Sequence, residues 1–472
     1  MHFLYNLAIR LMCFALRLAA VFHPKARAWV TGRRNWRARY QDAFQKTGKV
    51  LWVHVASLGE FEQGRPVIEA FREKHPGWQI VLSFFSPSGY AIRKNYPHAD
   101  LVCYLPADTR RNARDFLDII QPDLVIFVKY EFWANMLFAL KNHRVPTLLV
   151  SALFRPGQPF FRWYGGFWRQ ILGCFGHIFS QNEYSARLLR NAGFQNITVA
   201  GDTRIDRVLR LAEEVKKNAV VEAFLSAPSP PTPQPRKEAS SFEQVHFSDD
   251  NLIFPPAKEQ EIPFPEHSKY PEGKPLSPRG ERMGVGSTLI AGSTWPEDEA
   301  LLLPLLDDPA FAALHMIVAP HEPSEKHLAQ LTAHLTQPYL RYSACVNGEA
   351  IPDSTRLLLI DNVGLLNTLY AYGRVAYIGG GFGKGIHNTL EPAAFGLPIL
   401  FGPKYEKFEE ARQFVARGGA FPVRTAAELA DALRKLQDPE CYAKASRAVK
   451  AFLEENRGAT DTVLKHLMAL HF

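Results

Sequence analysis

The sequence has few cysteines, and their arrangement supports neither a disulfide framework nor a metal centre. The five cysteines are scattered and none has Cys-x-x-Cys spacing. This usage predicts a reducing compartment and argues against a zinc site. The histidines are also scattered, and no Asp-x-Asp pair stands beside a predicted strand to hold a metal-bound diphosphate. We therefore expect no metal and no cofactor.

The sequence also lacks a long uninterrupted apolar run. Residues 1–22 are apolar, but Arg10 and Arg17 interrupt them, and their spacing of seven places both on one helical face. A spanning helix needs roughly 20 consecutive apolar residues. The segment is therefore predicted to be a membrane-anchor helix that either lies in the interface or spans with its arginines snorkelling. A signal peptide is disfavoured because no small-residue cleavage site follows.

The charge is unevenly distributed along the chain. The net charge of +8 and the pI near 9.1 imply an affinity for anions. Part of the excess is a basic cluster that precedes Asp42, the first acid of the chain, and consists of Lys25, Arg27, Arg33, Arg34, Arg37 and Arg39. Near an anionic leaflet each such charge contributes about 1 kcal/mol. The cluster predicts contact with an anionic membrane surface rather than with nucleic acid, and a solvated helical face is the alternative.

Short apolar segments alternate with helical segments in the first half of the chain. Strands are predicted at 50–55, 80–84, 101–105, 124–128, 147–150 and 177–180. This spacing indicates right-handed βαβ units and a parallel sheet covered on both faces. Residues 23–215 are predicted to form a Rossmann-like domain. One helix is predicted from the Asp202 turn to about Phe224.

The composition changes abruptly after that helix and then returns to the earlier pattern. Residues 227–286 are dense in proline, serine and charge, so they are predicted to be a disordered inserted linker. Further strands are predicted at 287–291, 315–319, 356–360 and 375–378, which makes 288–472 a second Rossmann-like domain. Two such domains leave one cleft between them. Ligands of these sheets collect outside the carboxyl ends of the strands.

A glycine-rich loop follows the predicted strand at 375–378. Its glycines are Gly379, Gly380, Gly381, Gly383 and Gly385. A short helix at 390–395, capped by Asn388 or Thr389, is predicted to follow and to end at Gly396. A glycine loop that leads into a helix N-terminus favours a phosphate, and Glu391 in the first turn suits ribose hydroxyls. The stretch predicts a nucleotide-sugar site, and an ordinary strand-to-helix turn is the alternative.

Two acids and one arginine follow predicted strands of the first half. Glu60 lies at a strand-to-helix junction, where a general base is held rigidly and faces the cleft. The alternative is a carboxylate that only complements the helix dipole. Glu131 follows the strand at 124–128 in the same way. Arg204 follows the Gly201-Asp-Thr turn and is a candidate for neutralising a leaving phosphate, with surface solvation as the alternative.

Two turns of the second half are candidates for contacts with a nucleotide. Pro320 and His321 end a strand, where backbone and imidazole can edge a base or a phosphate. Gly364 precedes a predicted helix and permits close approach of the backbone to a base. For the turn at Pro320 and His321, the alternative is an ordinary turn that binds no ligand.

Six stretches together resemble the 3-deoxy-D-manno-octulosonic acid (Kdo) transferases of lipopolysaccharide assembly. They are WVHVASLGEFEQGRP (52–66), VKYEFWAN (128–135), AGSTWPEDE (291–299), IVAPHEP (317–323), IDNVGLLNTLYAYGRVAYIGGGF (360–382) and HNTLEPAAFGLPILFGPKYEKF (387–408). The resemblance implies an α/β GT-B fold, with two Rossmann-like domains facing a central cleft. It also implies inverting transfer of Kdo from CMP-Kdo to the lipid A precursor, lipid IVA, at the cytoplasmic face of the cell inner membrane.

The resemblance implies roles for particular residues. Glu60 matches the family's catalytic base, and Glu131 and Arg204 match positions that stabilise the transition state. The segments that bind CMP are matched by Pro320, His321, Val363, Gly364, Leu365, Asn388, Thr389, Leu390 and Glu391. At two positions the chain departs from the family pattern, since His321 stands where a basic pattern with arginine is usual and Leu365 stands where glutamate is usual.

Two other functions remain open from the sequence. One is a GT-B transferase or epimerase that uses a UDP-sugar. The other is a noncatalytic lipid-binding scaffold that keeps the fold.

Overall fold

The computed structural model describes residues 1–227, 288–333, 335–352 and 354–470 of the chain. The predicted linker at 227–286 lies outside the described residues except for Ala227.

The first half of the chain forms a parallel sheet of seven strands. The strands are β1 (Val50–Val55), β2 (Gln79–Phe84), β3 (Leu101–Tyr104), β4 (Leu124–Val128), β5 (Thr147–Ala152), β6 (His177–Ser180) and β7 (Ile197–Val199), in the order β3-β2-β1-β4-β5-β6-β7. The register places Phe127 of β4 opposite His54 of β1. Because all pairs are parallel, the carboxyl ends of the strands lie at one edge of the sheet.

The helices of the first half connect these strands and extend beyond them. They are α1 (His2–Ala19), α2 (Pro24–Gly32), α3 (Trp36–Ala43), α4 (Leu58–Lys74), α5 (Pro87–Arg93), α6 (Arg110–Ile120), α7 (Ala134–Asn142), α8 (Gly166–Leu172), α9 (Glu183–Asn191), α10 (Thr203–Glu213) and α11 (Ala219–Ser226). Pro159–Phe161 forms a 3₁₀ helix.

Both faces of this sheet are buried, as the sequence of β1 requires. All six residues of β1 are buried. Trp52 packs with Phe116 and Phe127 on one face, whereas Leu51 and Val53 belong to the apolar cluster on the other face. Successive side chains of a strand point to opposite faces, so an almost continuous apolar run is the pattern of a doubly covered parallel strand.

The second half forms another parallel sheet of seven strands. They are β8 (Thr288–Thr294), β9 (His315–Pro320), β10 (Tyr339–Arg341), β11 (Leu357–Leu359), β12 (Val375–Ile378), β13 (Ile399–Phe401) and β14 (Ala420–Pro422), in the order β10-β11-β9-β8-β12-β13-β14. The helices are α12 (Pro296–Leu302), α13 (Glu325–Thr332), α14 (Tyr342–Val346), α15 (Leu366–Leu369), α16 (Leu390–Ala394), α17 (Glu409–Ala416), α18 (Ala426–Gln437), α19 (Pro439–Glu455) and α20 (Ala459–Ala469). Leu303–Leu306, Pro309–Phe311 and Tyr370–Tyr372 form 3₁₀ helices. Two parallel-sheet α/β units confirm the predicted fold class.

Two helices pack on the sheet that they do not adjoin in sequence. Val463 and Leu464 of α20 belong to the apolar cluster around β1 of the first sheet. Val221 and Phe224 of α11 belong to a cluster of the second sheet. Each half therefore contributes a helix to the other's core, which ties the two sheets together.

The prediction of a single helix after Asp202 is wrong, because the chain forms two helices, α10 and α11, with a break between them. Asn218 caps α11, its side chain accepting a hydrogen bond from the N–H of Val221 at 3.2 Å. The N–H of Asn218 donates to the hydroxyl of Tyr372 at 2.6 Å. A cap at this position ends the first helix and starts a second one aimed at the other sheet.

Candidate active site

Glu60 lies in the first turn of α4, directly after β1. Ser57 is the N-cap of α4, and its hydroxyl accepts from the N–H of Glu60 at 3.4 Å. Oε2 of Glu60 accepts from the N–H of Ala56 at 2.6 Å. The carboxylate is thus folded back over the strand-to-helix turn. Burial and then the nearby charge of Glu131 raise its pKa to about 7, while the Ala56 N–H and Lys129 oppose this shift.

Glu131 follows β4, the strand next to β1, and is buried. Its Oε2 accepts from Nε2 of His54 at 2.9 Å and from Nε1 of Trp133 at 2.6 Å. The carboxylate of Glu131, which the sequence places after β4, is therefore fixed by two hydrogen-bond donors. Buried carboxylates need such partners, because an unmade hydrogen bond there costs about 1–3 kcal/mol or more.

His54 was not singled out from the sequence, yet it joins Glu131 to the interior of the sheet. It is 0% exposed. Its Nδ1 lies 2.9 Å from Oγ of Ser83, which also accepts from Nε1 of Trp52 at 2.8 Å. The available signal was a lone histidine in the otherwise apolar strand VLWVHV, since a buried polar ring requires hydrogen-bond partners.

Arg204 lies in the first turn of α10 and bridges the two halves of the chain. Its guanidinium donates to the carboxylate of Asp202 at 2.6–3.1 Å and to Oε1 of Glu410, which belongs to α17 of the second half, at 3.2 Å. Burial disfavours its charge, but these two carboxylates prevail and raise the pKa of Arg204. Arg204 is therefore a permanent cation at the junction rather than a solvated surface residue.

Helix α10 packs between the helix that carries Glu60 and the helix that carries Glu391. It packs against both α4, which carries Glu60, and α16, which carries Glu391. The hydroxyl of Thr203 donates to the carbonyl of Gln63 in α4 at 2.5 Å. Arg207 of α10 pairs with Glu62 of α4 at 2.7 Å. Helix α10 therefore links α4 of the first half to α16 of the second half.

Three aromatic rings form a stack at the carboxyl edge of the second sheet. His321 lies between Trp295 and His387, with ring centroids 4.9 Å and 4.3 Å apart. Nε1 of Trp295 donates to Nε2 of His387 at 3.2 Å. Burial and then neighbouring His321 lower the pKa of His387 to about 4. The stack joins the loops after β8, β9 and β12, and neither Trp295 nor His387 was among the predicted site residues.

Several glycines of the loop after β12 are needed because other parts of the chain's backbone pack closely against them. A Cβ on Gly379 would lie 2.2 Å from the carbonyl oxygen of Ser293, and one on Gly381 would lie 2.6 Å from Cα of Gly402. Gly380 has a φ of +92°, which favours glycine. Gly379, Gly380 and Gly381 are therefore required by the chain's own packing and backbone conformation.

The remaining predicted nucleotide contacts lie beside this loop and on the loop after β11. Asn388 accepts from the N–H of Leu390 at 3.1 Å and donates to Glu391 at 3.0 Å, so Asn388, not Thr389, provides the cap. The Thr389 hydroxyl is buried and has no hydrogen-bond partner among the described residues. Val363 is 87% exposed, next to Gly364 at a φ of +102° and half-buried Leu365. Pro320 is buried at the end of β9. All residues predicted to contact the sugar-nucleotide donor therefore lie at one edge of the second sheet.

Comparison with known proteins finds similarity to one kind of enzyme. A family model described as 3-deoxy-D-manno-octulosonic-acid transferase (kdotransferase) matches residues 34–207, which include Glu60, Glu131 and Arg204. A 3-deoxy-D-manno-octulosonic acid transferase of Bordetella pertussis is 26% identical, over 88% of this chain and 86% of the relative. That of Aquifex aeolicus (strain VF5) is 24% identical, over 82% of this chain and 85% of the relative. The family model and these relatives, which match most of the chain, support a Kdo transferase.

A solved structure similar to this chain supports the GT-B type of fold. UDP-GlcNAc 2-epimerase from Neisseria meningitidis, bound to UDP-GlcNAc, aligns with a TM-score of 0.54 over 89% of this chain and 100% of that chain. Its sequence identity is 15%, so the similarity concerns the fold alone.

Proposed function

We propose that this protein transfers Kdo from CMP-Kdo to the lipid A precursor, lipid IVA, with inversion at the sugar carbon. The similarity to Kdo transferases supports these substrates. The observation that carries the mechanism is the position of Glu60 in the first turn of α4, where its pKa is raised to about 7, together with the packing of α10 against both α4 and α16. A base poised near neutrality accepts a proton efficiently at physiological pH.

In the proposed reaction, Glu60 removes the proton from the acceptor hydroxyl as its oxygen attacks the anomeric carbon of Kdo. The bond from that carbon to the phosphate oxygen of CMP breaks, and CMP leaves with the electron pair. Positive charge develops on the sugar, and the fixed carboxylate of Glu131 is placed to stabilise it. We propose that Arg204, which Asp202 and Glu410 hold at the junction of the two halves, compensates part of the charge of the leaving phosphate.

The donor is proposed to bind at the carboxyl edge of the second sheet. Its nucleotide would contact the turn at Pro320–His321, the turn at Val363–Leu365 and the segment Asn388–Glu391. Because these turns lie on the loops after β9, β11 and β12, a single ligand can touch all three.

Glu60→Gln tests the proposal. Transfer of Kdo should fall by about 10²–10⁴-fold, the range of general base catalysis, while calorimetry shows unchanged affinity for CMP. Unchanged turnover would remove Glu60 from its role. Clear preference of the wild-type protein for UDP over CMP would favour a UDP-sugar enzyme, and absence of product from folded wild-type protein with CMP-Kdo and lipid IVA would favour a noncatalytic scaffold.

We also propose that α1 holds the protein on the cytoplasmic face of the inner membrane, lying in the interface. By length and composition α1 is the one candidate membrane span among the described residues. Its inner face is attached to the first domain, since Ile9 is buried and the hydroxyl of Tyr5 donates to Asp108 at 2.5 Å. Its outer face exposes a row of apolar residues, Phe3, Leu4, Leu7, Leu11, Phe14 and Leu18. A helix attached along one side and apolar on the other suits an interfacial position.

The predicted basic cluster contributes less to this surface than its sequence implied. Arg33 is buried and donates to the carbonyls of Leu105 and Phe85, each at 2.8 Å. Burial lowers its pKa to about 10. Arg37 pairs with Asp115 at 2.6 Å. These two arginines hold α2 and α3 on the domain instead of facing lipid, so apolar contacts should dominate membrane binding.

Flotation with vesicles that contain anionic phospholipid tests the membrane proposal. The double variant Leu7→Gln, Leu11→Gln should bind at least tenfold more weakly, because each buried leucine contributes about 1.5–3 kcal/mol. Met468→Gln, an exposed apolar residue of α20, is the control. Equal binding of wild-type protein and the double variant would exclude the outer face of α1 as the membrane contact.

A further inference from the structure

Lys129 lies beside the proposed catalytic residues, and the sequence alone gave this lysine no role. It directly follows β4, and the register that pairs Phe127 with His54 brings it level with Ala56 of the neighbouring strand. The N–H of Ala56 is the one that binds the carboxylate of Glu60. Lys129 therefore lies next to the turn that holds the proposed base, and two residues before Glu131.

The backbone of Lys129 is left-handed, with a φ of +66°. This conformation costs a residue with a side chain roughly 1–2 kcal/mol, whereas glycine adopts it freely. The turn itself is fixed by the N–H of Lys129, which donates to the carbonyl of Val150 at 2.9 Å. Strain of this kind concentrates at functional sites. The strained position of Lys129 therefore makes its side chain a candidate for a functional role.

The Lys129 side chain is half-buried, and it has no ion-pair partner among the described residues. Among the described residues no group accepts a hydrogen bond from its ammonium, and the nearest recorded contact is the Tyr130 ring, 5.4 Å from Nζ. Burial, and then the charge of Arg204, lower the pKa of Lys129, with Asp202, Glu410 and Glu60 opposing. The ammonium is therefore close enough to the proposed base and to the proposed leaving-group arginine to interact with both electrostatically.

The two cations differ in how fully they are neutralised. Arg204 donates to two carboxylates, those of Asp202 and Glu410, and is held by both. Lys129 is not paired in this way. A half-buried ammonium without a carboxylate partner is unfavourable by itself and becomes favourable when an anionic ligand group binds to it.

We propose that Lys129 binds the carboxylate of the transferred sugar. This inference rests on the proposed function, because Kdo is a ulosonic acid whose carboxylate is attached to the anomeric carbon. That carbon must lie between the base and the leaving phosphate during inverting transfer. The carboxylate is consequently brought close to Glu60 and Glu131, whose charges repel it unless a cation compensates them.

This role makes Lys129 a determinant of donor specificity. A nucleotide donor with a neutral hexose has no carboxylate for the ammonium to bind, so it leaves a half-buried charge unpaired. Binding to the phosphate of CMP is the competing use of the same cation. The two uses differ in a measurable way, since free CMP contains the phosphate but not the sugar carboxylate.

The test compares Lys129→Met with wild-type full-length protein. The methionine keeps the length and the backbone strain but removes the charge. The KM for CMP-Kdo should rise by about 10- to 100-fold, the range for one charged hydrogen bond, while the inhibition constant of CMP and the KM for lipid IVA stay within about twofold. Lys129→Arg should restore most of the donor affinity. Lys74→Met, at the exposed end of α4, is the matched control.

The alternative outcomes separate this inference from the proposed function. Equal weakening of CMP and CMP-Kdo would assign Lys129 to the phosphate and overturn the inference, as would an unchanged KM for the donor. A raised KM for lipid IVA alone would assign it to the acceptor and also overturn it. Failure of the wild-type protein to transfer Kdo would overturn the proposed function itself.

Discussion

The two halves of the candidate active site differ in how completely their polar groups are already paired. On the first sheet, Glu131 is buried and receives hydrogen bonds from His54 and Trp133, and His54 continues to Ser83. On the second sheet, Val363 is 87% exposed, and the buried hydroxyl of Thr389 has no partner among the described residues. These groups of the first sheet are paired within the chain, whereas these residues of the second sheet are exposed or unpaired.

This difference indicates how the two halves divide the work of catalysis. Groups that stabilise charge in a transition state act best when they are fixed beforehand, because no reorganisation is then needed during the reaction. A nucleotide site has to admit and release its ligand, so exposed loops suit it. The ion pair between Arg204 and Glu410 joins the two halves, and closure around the donor would exclude water from the gap.

The largest expected difference between the two halves appears when one histidine of each half is replaced by leucine. His54→Leu removes a partner of buried Glu131, so the free energy of unfolding should fall by about 1–3 kcal/mol and kcat by about 10²-fold through misplacement of the carboxylate. His387→Leu removes one bond to Trp295 at the half-buried stack. It should cost about 1 kcal/mol or less and change the KM for the donor more than kcat.

Urea unfolding together with steady-state kinetics measures both variants. The two should separate, with kcat and stability affected on the first sheet and donor affinity on the second. Matching profiles for the two variants would show that the two halves are equally organised and would remove the comparison.

Much of the first half of the site follows from sequence because parallel strands end at one edge of a sheet. Glu60 and Glu131 come directly after strands that were recognisable from their apolar runs, and those strands prove to be neighbours. The identity of Glu131's partners does not follow in this way. A histidine in a strand buried on both faces gives no sign of which side chain it meets, and His54 meets Glu131 only through the register of β1 and β4.

Contacts between distant parts of the chain were the least predictable. Arg204 and Glu410 are 206 residues apart, and only the packing of α10 between α4 and α16 brings them together. The basic cluster near the N-terminus shows the same limit, since charge counting cannot tell a buried Arg33 from one that faces solvent. Composition reports how many charges there are, and packing decides which of them remain available to a ligand.

A smaller effect, on pH dependence, tests whether Glu60 and Glu131 act on each other as their proximity implies. The transfer rate should fall below about pH 7, because the base must be ionised and the pKa of Glu60 is raised to about 7. Glu131→Gln removes a neighbouring negative charge, which should move this acid limb to lower pH by about one unit or less. The pH profile of kcat/KM, normalised to each variant's maximum, measures the shift.

Stability should show the same coupling with a defined sign. Since folding raises the pKa of Glu60 above its ordinary value of 4.5, the folded protein binds more protons than the unfolded chain between pH 4.5 and about 7. The contribution of Glu60 to stability is therefore greatest below that window and decreases as pH rises through it. Glu60→Gln should remove this decrease and Glu131→Gln should reduce it. Glu73→Gln, at the exposed end of α4, should leave both profiles unchanged. An acid limb that stays in place in Glu131→Gln would mean that burial alone raises the pKa of Glu60, and the two carboxylates would then act independently.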